Sequence, residues 1–104
     1  MTREAYIVGV GQTEFTRHGG IMNRSQFQVA AEAILSALTD AGLTPDDVDG
    51  FASYSNDASE AALMQVTLGV PQLRWSSMVW GGGGGGSCAA IAQAAAAVES
   101  GHAD

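Results

Sequence analysis

The residues best placed to do chemistry lie between Trp80 and Ala90, WGGGGGGSCAA. Six consecutive glycines run into Ser87 and Cys88, the only cysteine of the chain. Glycine lets backbone N–H groups approach a ligand closely. At the start of a helix those groups and the helix dipole stabilise an oxyanion or a thiolate. With Ser87 as the cap, Cys88 falls in the first turn, where thiol pKa values drop. Three bland readings stand beside that one. Cys88 is equally a small buried hydrophobe, as free cysteines commonly are. The run is a flexible linker, although linkers sit among polar residues and this one joins an aromatic segment to an apolar one. Or it is a dinucleotide cradle, with Gly81, Gly83 and Gly86 in a G-x-G-x-x-G frame. Any six glycines satisfy that frame. The other candidate, Gly9-x-Gly11, has Glu14 where its third glycine belongs, and a chain without lysine has no Walker lysine.

The elements that must hold this loop follow from pattern and punctuation. AYIVGVG, residues 5–11, is a β-branched run ended by glycines and reads as a buried strand. A Gly-broken loop, QTEFTRHGGIMNR, follows. Ser25 opens a helix, with Gln28 completing a capping-box pattern. Phe27, Ala30, Ala31, Ile34, Leu35, Leu38 and Ala41 make one apolar face, and Gly42 ends it. Thr44 and Pro45 start a one-turn helix. Residues 49–55 read as a second strand and 58–69 as a second helix, stopped by Gly69 and Pro71. Residues 73–80, LRWSSMVW, read as a third strand. Residues 87–100 form a third helix, closed by Gly101. A β-α-β-α-β-α order means an α/β fold on a parallel or mixed sheet. Between Cys88 and Val98 the third helix has Gln93 as its sole polar residue, so it asks for cover on every side.

Composition excludes several classes. The chain has 104 residues, room for one domain, and is 46% hydrophobic, which argues against a disordered segment. Four arginines stand against eleven acids, for a net charge of −7. Nucleic acid and anionic membranes both call for clustered basic residues, so neither is the expected partner. One cysteine precludes an internal disulfide framework and a multi-cysteine zinc site. The apolar run after Arg3 is short for a signal peptide, and none reaches the roughly 18 residues of a membrane span. A cytoplasmic protein is expected.

Three stretches, AYIVGVGQTEF, AAEAILSALTDAGLTPDDVDG and GGGGGGSCAAIAQAAAAVESGHAD, together with their order and spacing, carry a family likeness. The sequence resembles the N-terminal portion of thiolase-superfamily enzymes of the sterol-carrier and lipid-transfer type. The resemblance covers essentially the whole chain. It implies a five-layer αβαβα thiolase-like fold, present only as its N-terminal part over residues 1–104. The third helix would be the central one, between two sheets. It implies C–C bond chemistry on acyl-CoA thioesters, with coenzyme A thioester as substrate and no bound cofactor or metal.

In true thiolases a cysteine at this helix start is the nucleophile. Counting back from SGHAD, that position falls near Gly84, one turn before Cys88. A glycine there resembles the branch containing steroid side-chain retro-aldolases, which cleave a β-hydroxyacyl-CoA without an acyl-enzyme. Gly83, Gly84, Gly85, Gly86 and Ser87 would then supply space and backbone donors beside the thioester. Acid/base tyrosines would lie beyond Asp104, leaving these 104 residues inactive alone. The resemblance also implies a homodimer and a small zinc-ribbon/OB-fold partner protein. A conventional acyltransferase using Cys88 is the second reading; a dinucleotide-binding module and a non-catalytic docking subunit remain. His18 and His102 match no catalytic motif and read as loop or helix-end residues. Trp75 and Trp80 read as packing at strand ends or at an interface, and Met64 and Met78 as core fillers. Asp46, Asp47 and Asp49 read as a solvated turn without the ligand pattern of a calcium loop. The Gln12–Arg17 loop is of the kind that lines substrate pockets.

Overall fold

The structure is a computed structural model that describes residues 3–17, 19–20, 23–55, 59–81 and 83–104. The expectations placed on His18 and on Ala58 as a helix start lie outside the described residues. Helix α1 spans Gln26–Ala41, strand β1 Gly50–Tyr54, helix α2 Ala61–Leu68, strand β2 Trp75–Val79 and helix α3 Gly86–Glu99.

Helix α1 begins where the sequence places it, because Ser25 Oγ accepts the Gln28 N–H at 3.0 Å. It ends because Gly42 takes φ 72°, so that Leu43 N–H reaches Leu38 O and Gly42 N–H reaches Thr39 O. The reciprocal capping box forms instead at Thr44 and Asp47, whose carboxylate accepts the Thr44 N–H at 2.9 Å. Helix α2 ends in the same manner as α1, at Gly69 with φ 74°.

The two strands run parallel, with Gly50 opposite Trp75 and Tyr54 opposite Val79. Partnered residues share a face, so the sheet has two distinct sides. Ala52, Tyr54 and Ser77 face α3, where Ser77 Oγ bonds Gln93 and the Tyr54 ring meets Gly86. Phe51 and Ser53 face α2. There Ser53 Oγ donates to Ser59 O at 3.3 Å, and Phe51 and Met64 line one cavity. Helix α1 lies beside α2. Among the described residues Met64, at 1% exposure, is the one large side chain of the buried hydrophobic set; the others are Ala31, Val70, Ala90, Ala97 and Ala103.

Two expectations are corrected. Residues 5–11 form no strand: Ile7, Val8 and Val10 are 76%, 66% and 71% exposed. The glycines that end the run are the cause. A Cβ on Gly9 would sit 2.9 Å from Ala41 Cβ, and one on Gly11 would sit 2.9 Å from Ser36 Cβ. The segment therefore lies directly on α1, and Val10 N–H is taken by Asp40 Oδ2 at 3.0 Å instead of a neighbouring strand. Arg24 ties it further along, bonding Glu14 at 2.5 Å and Glu32 of α1 at 2.6 Å.

The second correction is the fold class. The five-layer αβαβα thiolase-like sandwich requires two sheets between helical layers. The described residues make one two-stranded parallel sheet with three helices. Helix α3 covers one face of that sheet and is not enclosed between two; Ile91 on its outer side is 57% exposed.

Asp49 turns out to be an anchor and not part of a solvated turn. Its carboxylate accepts the Asp104 N–H at 3.0 Å and pairs with Arg74 at 3.0 Å. Arg74 and Arg3 both reach the Asp104 side chain. The chain after α3 is thereby folded back against the start of β1.

Candidate functional site

The glycine run leaves the carboxyl end of β2 and enters α3. Trp80 flanks it and is 80% exposed. Gly81 turns the chain with φ 72°, a conformation that side-chain-bearing residues avoid. Gly83, Gly84 and Gly85 make one 3₁₀ turn, and Gly86 is the first residue of α3. Helix α3 thus starts one residue before the expected Ser87. Ser87 is exposed and does not cap the helix, and no side chain covers the first-turn N–H groups. The 3₁₀ turn of Gly83–Gly85 runs straight into the helix, and the i→i+3 bonds of such a turn take up part of the N–H groups at a helix start. Five of the sequence-predicted site residues, Gly83 to Ser87, are therefore gathered as one loop-to-helix corner, by succession alone.

Space separates the glycines into two kinds. A Cβ on Gly84 or on Gly85 would meet no atom within 4 Å. Neither has a positive φ, and Gly85 sits at φ −82° and ψ −11°. The fold itself does not require glycine at either place. At Gly86 a Cβ would overlap the Tyr54 ring, lying 2.8 Å from Cζ and nearer to Cδ1 and Cε1. Tyr54 closes β1 and so stands at the same end of the sheet as the loop. Sequence reading missed it: its link to Gly86 spans 32 positions (86 − 54) and leaves no periodic trace.

Cys88 is exposed in the first turn of α3. No histidine stands beside it among the described residues. His102 lies past the other end of this 14-residue helix, about 20 Å away at ~1.5 Å per residue, where its Nδ1 bonds Ser100 Oγ at 2.6 Å. The corner therefore offers backbone donors and open space, without a thiol–imidazole pair. Among the described residues no group of three His, Cys, Asp or Glu side chains could hold a metal ion. The shifted carboxylates lie elsewhere. Hydrogen bonding to Arg24 lowers the Glu14 pKa, and hydrogen bonding to Arg3, with the charges of Arg3 and Arg74, lowers that of Asp104. In the Gln12–Arg17 loop, Gln12 borders an open pocket with Val10, Gly11 and Ser36, Glu14 is held by Arg24, and Phe15 is 87% exposed. An apolar cavity of about 370 Å³ is lined by the 6–9 segment, α1, α2 and β1, and none of the loop glycines borders it.

No family model matches the chain. It is 43% identical over 100 residues to a steroid side-chain-cleaving aldolase of Thermomonospora curvata, an alignment covering 96% of this chain and 25% of that protein. It is 40% identical over 79 residues to the 17-hydroxy-3-oxo-4-pregnene-20-carboxyl-CoA lyase of Mycobacterium tuberculosis, covering 76% of this chain and 20% of the lyase. Among solved structures it overlays an Ltp2–ChsH2 (DUF35) aldolase with a TM-score of 0.85 and 42% identity, over 97% of this chain and 25% of that one. This chain is similar to steroid-degrading aldolases. It spans a quarter or less of the length of the relatives it matches. The matched names are aldolase and lyase, so the likeness is to carbon–carbon cleaving enzymes of steroid degradation.

Proposed function

We propose that this chain is part of a lyase that cleaves the side chain of a steroid carried as a β-hydroxyacyl-CoA thioester, by a retro-aldol reaction. The observation that carries the reading is the aligned similarity, above 40% identity over nearly the whole chain, to an aldolase of that description. The corner at Gly83–Ser87 supports it by its chemistry. In a retro-aldol step a base removes the β-hydroxyl proton and the C–C bond breaks. The electron pair then passes to the α-carbon and the thioester oxygen as an enolate. A new ketone leaves and the shortened acyl-CoA is reprotonated. Such a step needs donors for the thioester oxyanion and no covalent nucleophile. Backbone N–H groups of the Gly83–Ser87 corner, which no side chain caps, are the donors in this reading, and the space beside Gly84 and Gly85 admits the thioester. Coenzyme A enters as part of the substrate. Cys88 has no covalent part. In this reading the base comes from outside these residues.

A second subunit belongs to this reading. The solved relative is named an Ltp2–ChsH2 (DUF35) aldolase, and a zinc-ribbon/OB-fold protein is the proposed partner here, with the chain itself paired as a homodimer. No helix among the described residues is long and apolar enough to cross a membrane, and the proposed compartment is the cytoplasm.

The test is turnover by the natural full-length protein. It is incubated with a steroid β-hydroxyacyl-CoA, and products are followed by liquid chromatography and mass spectrometry. Release of a ketone and a shortened acyl-CoA in equal amounts is expected. Acyl transfer to a second CoA, or an acyl adduct on Cys88, would overturn the reading in favour of an acyltransferase.

A further inference from the structure

Resting on the lyase reading, we propose that Tyr54 is a positioning residue for the glycine corner. Its ring lies on the Cα of Gly86, in the place a side chain would occupy. Gly86 is buried and is the first residue of α3, so the ring sets where that helix begins. Tyr54 is also the last residue of β1 and is paired in register with Val79, the last of β2. The sheet thus fixes the ring, the ring fixes the first turn, and the first turn sets the backbone of the corner.

The contrast within the glycine run is what assigns the role. Gly81 answers to its φ, and Gly84 and Gly85 have open space where side chains would be. Of Gly84, Gly85 and Gly86, only Gly86 has a neighbouring side chain where its own would be. A rigid aromatic plane against a residue without a side chain gives close approach and one seating. A flexible aliphatic side chain at position 54 would allow several. The ring is what meets Gly86, so the proposed role is the ring's.

The experiment uses the natural full-length protein with four variants: Tyr54→Phe, Tyr54→Ala, Gly86→Ala and the double variant Tyr54→Ala/Gly86→Ala. Thermal melting and steady-state cleavage of a steroid β-hydroxyacyl-CoA are measured on each. Tyr54→Phe keeps the ring and should keep kcat within about twofold. Tyr54→Ala should lower kcat tenfold or more with KM little changed, since a misplacement of about 1 Å costs on the order of 10²-fold. Gly86→Ala should lower both the melting temperature and kcat. In the double variant the new methyl meets no ring, so its melting temperature should exceed that of Gly86→Ala. Additive melting shifts would overturn the contact, and native kcat in Tyr54→Ala would overturn the positioning role. A wild-type protein without cleavage activity would remove the lyase reading and this role together. An active wild type with additive variants would remove only this role.

Discussion

Replacing Gly85 by alanine should move stability and activity in opposite directions. Gly85 has right-handed backbone angles, φ −82° and ψ −11°, that alanine adopts without strain. Its Cβ would meet nothing within 4 Å. With no clash and no left-handed turn, the main effect on folding is lost freedom in the unfolded chain. That stabilises by about 0.4–1 kcal/mol. In a protein of several hundred residues this corresponds to a rise of roughly 1–3 °C in melting temperature. The same methyl enters the space proposed for the thioester. Displacing a reacting group by about 1 Å costs on the order of 10²-fold in rate, so kcat/KM should fall by about that factor. Scanning calorimetry and initial rates on one preparation test both halves. A stable variant with native kcat/KM would refute the placement of substrate at this corner. A destabilised variant would refute the open space around Gly85.

Truncating Met64 to alanine removes the largest fully buried hydrophobic side chain and should cost about 2–5 kcal/mol, read from the urea midpoint. Cys88→Ala should retain cleavage activity, and iodoacetamide labelling of Cys88 in the wild type should not abolish it; loss of all turnover in the alanine variant would revive a covalent mechanism. Glu14 and Asp104 have folded pKa values depressed by hydrogen bonds from Arg24 and Arg3. Their contribution to stability is therefore complete above the ordinary carboxylate range, and it fades as pH falls through the lower folded values. Both are exposed, so the effect should be small. It should shrink further in Arg24→Gln, as seen by denaturant midpoints between pH 6 and about 2.

Helix α1 was legible because its signals are local. Ser25, the three- and four-residue apolar spacing and Gly42 all act within one segment, and each acts as its chemistry suggests. The two strands fell within two residues of their expected limits for a similar reason, with apolar and aromatic runs bounded by turns. The AYIVGVG run failed because β-branched chemistry does not specify the neighbour. Gly9 and Gly11 let the chain rest on the backbone of a helix, and Asp40 took the N–H a strand would have bonded. Asp49 was misread because its partner, Asp104, is 55 positions away. At the glycine run the sequence identified the corner but not the division of labour within it. Gly84 and Gly85 differ from Gly86 through what surrounds them in space, and six identical letters hold no record of that. The five-layer fold was inferred from a likeness, and the described residues form a smaller arrangement with one sheet.

The way residues 6–10 rest on α1 also sets an order of events during synthesis. This apolar stretch leaves the ribosome before the helix that receives it. Gly11 must wait for Ser36, and Gly9 for Ala41, the latter 32 positions later (41 − 9). At ~5–20 residues per second that is a delay of roughly 2–6 s. Throughout it Tyr6, Ile7, Val8 and Val10 form a short β-prone, uncharged window without proline, the composition that seeds strand-to-strand association. Docking on α1 leaves their side chains largely open to solvent but takes up the Val10 N–H on Asp40, so nascent chains that have not yet made α1 would be most prone to strand-to-strand association at this segment.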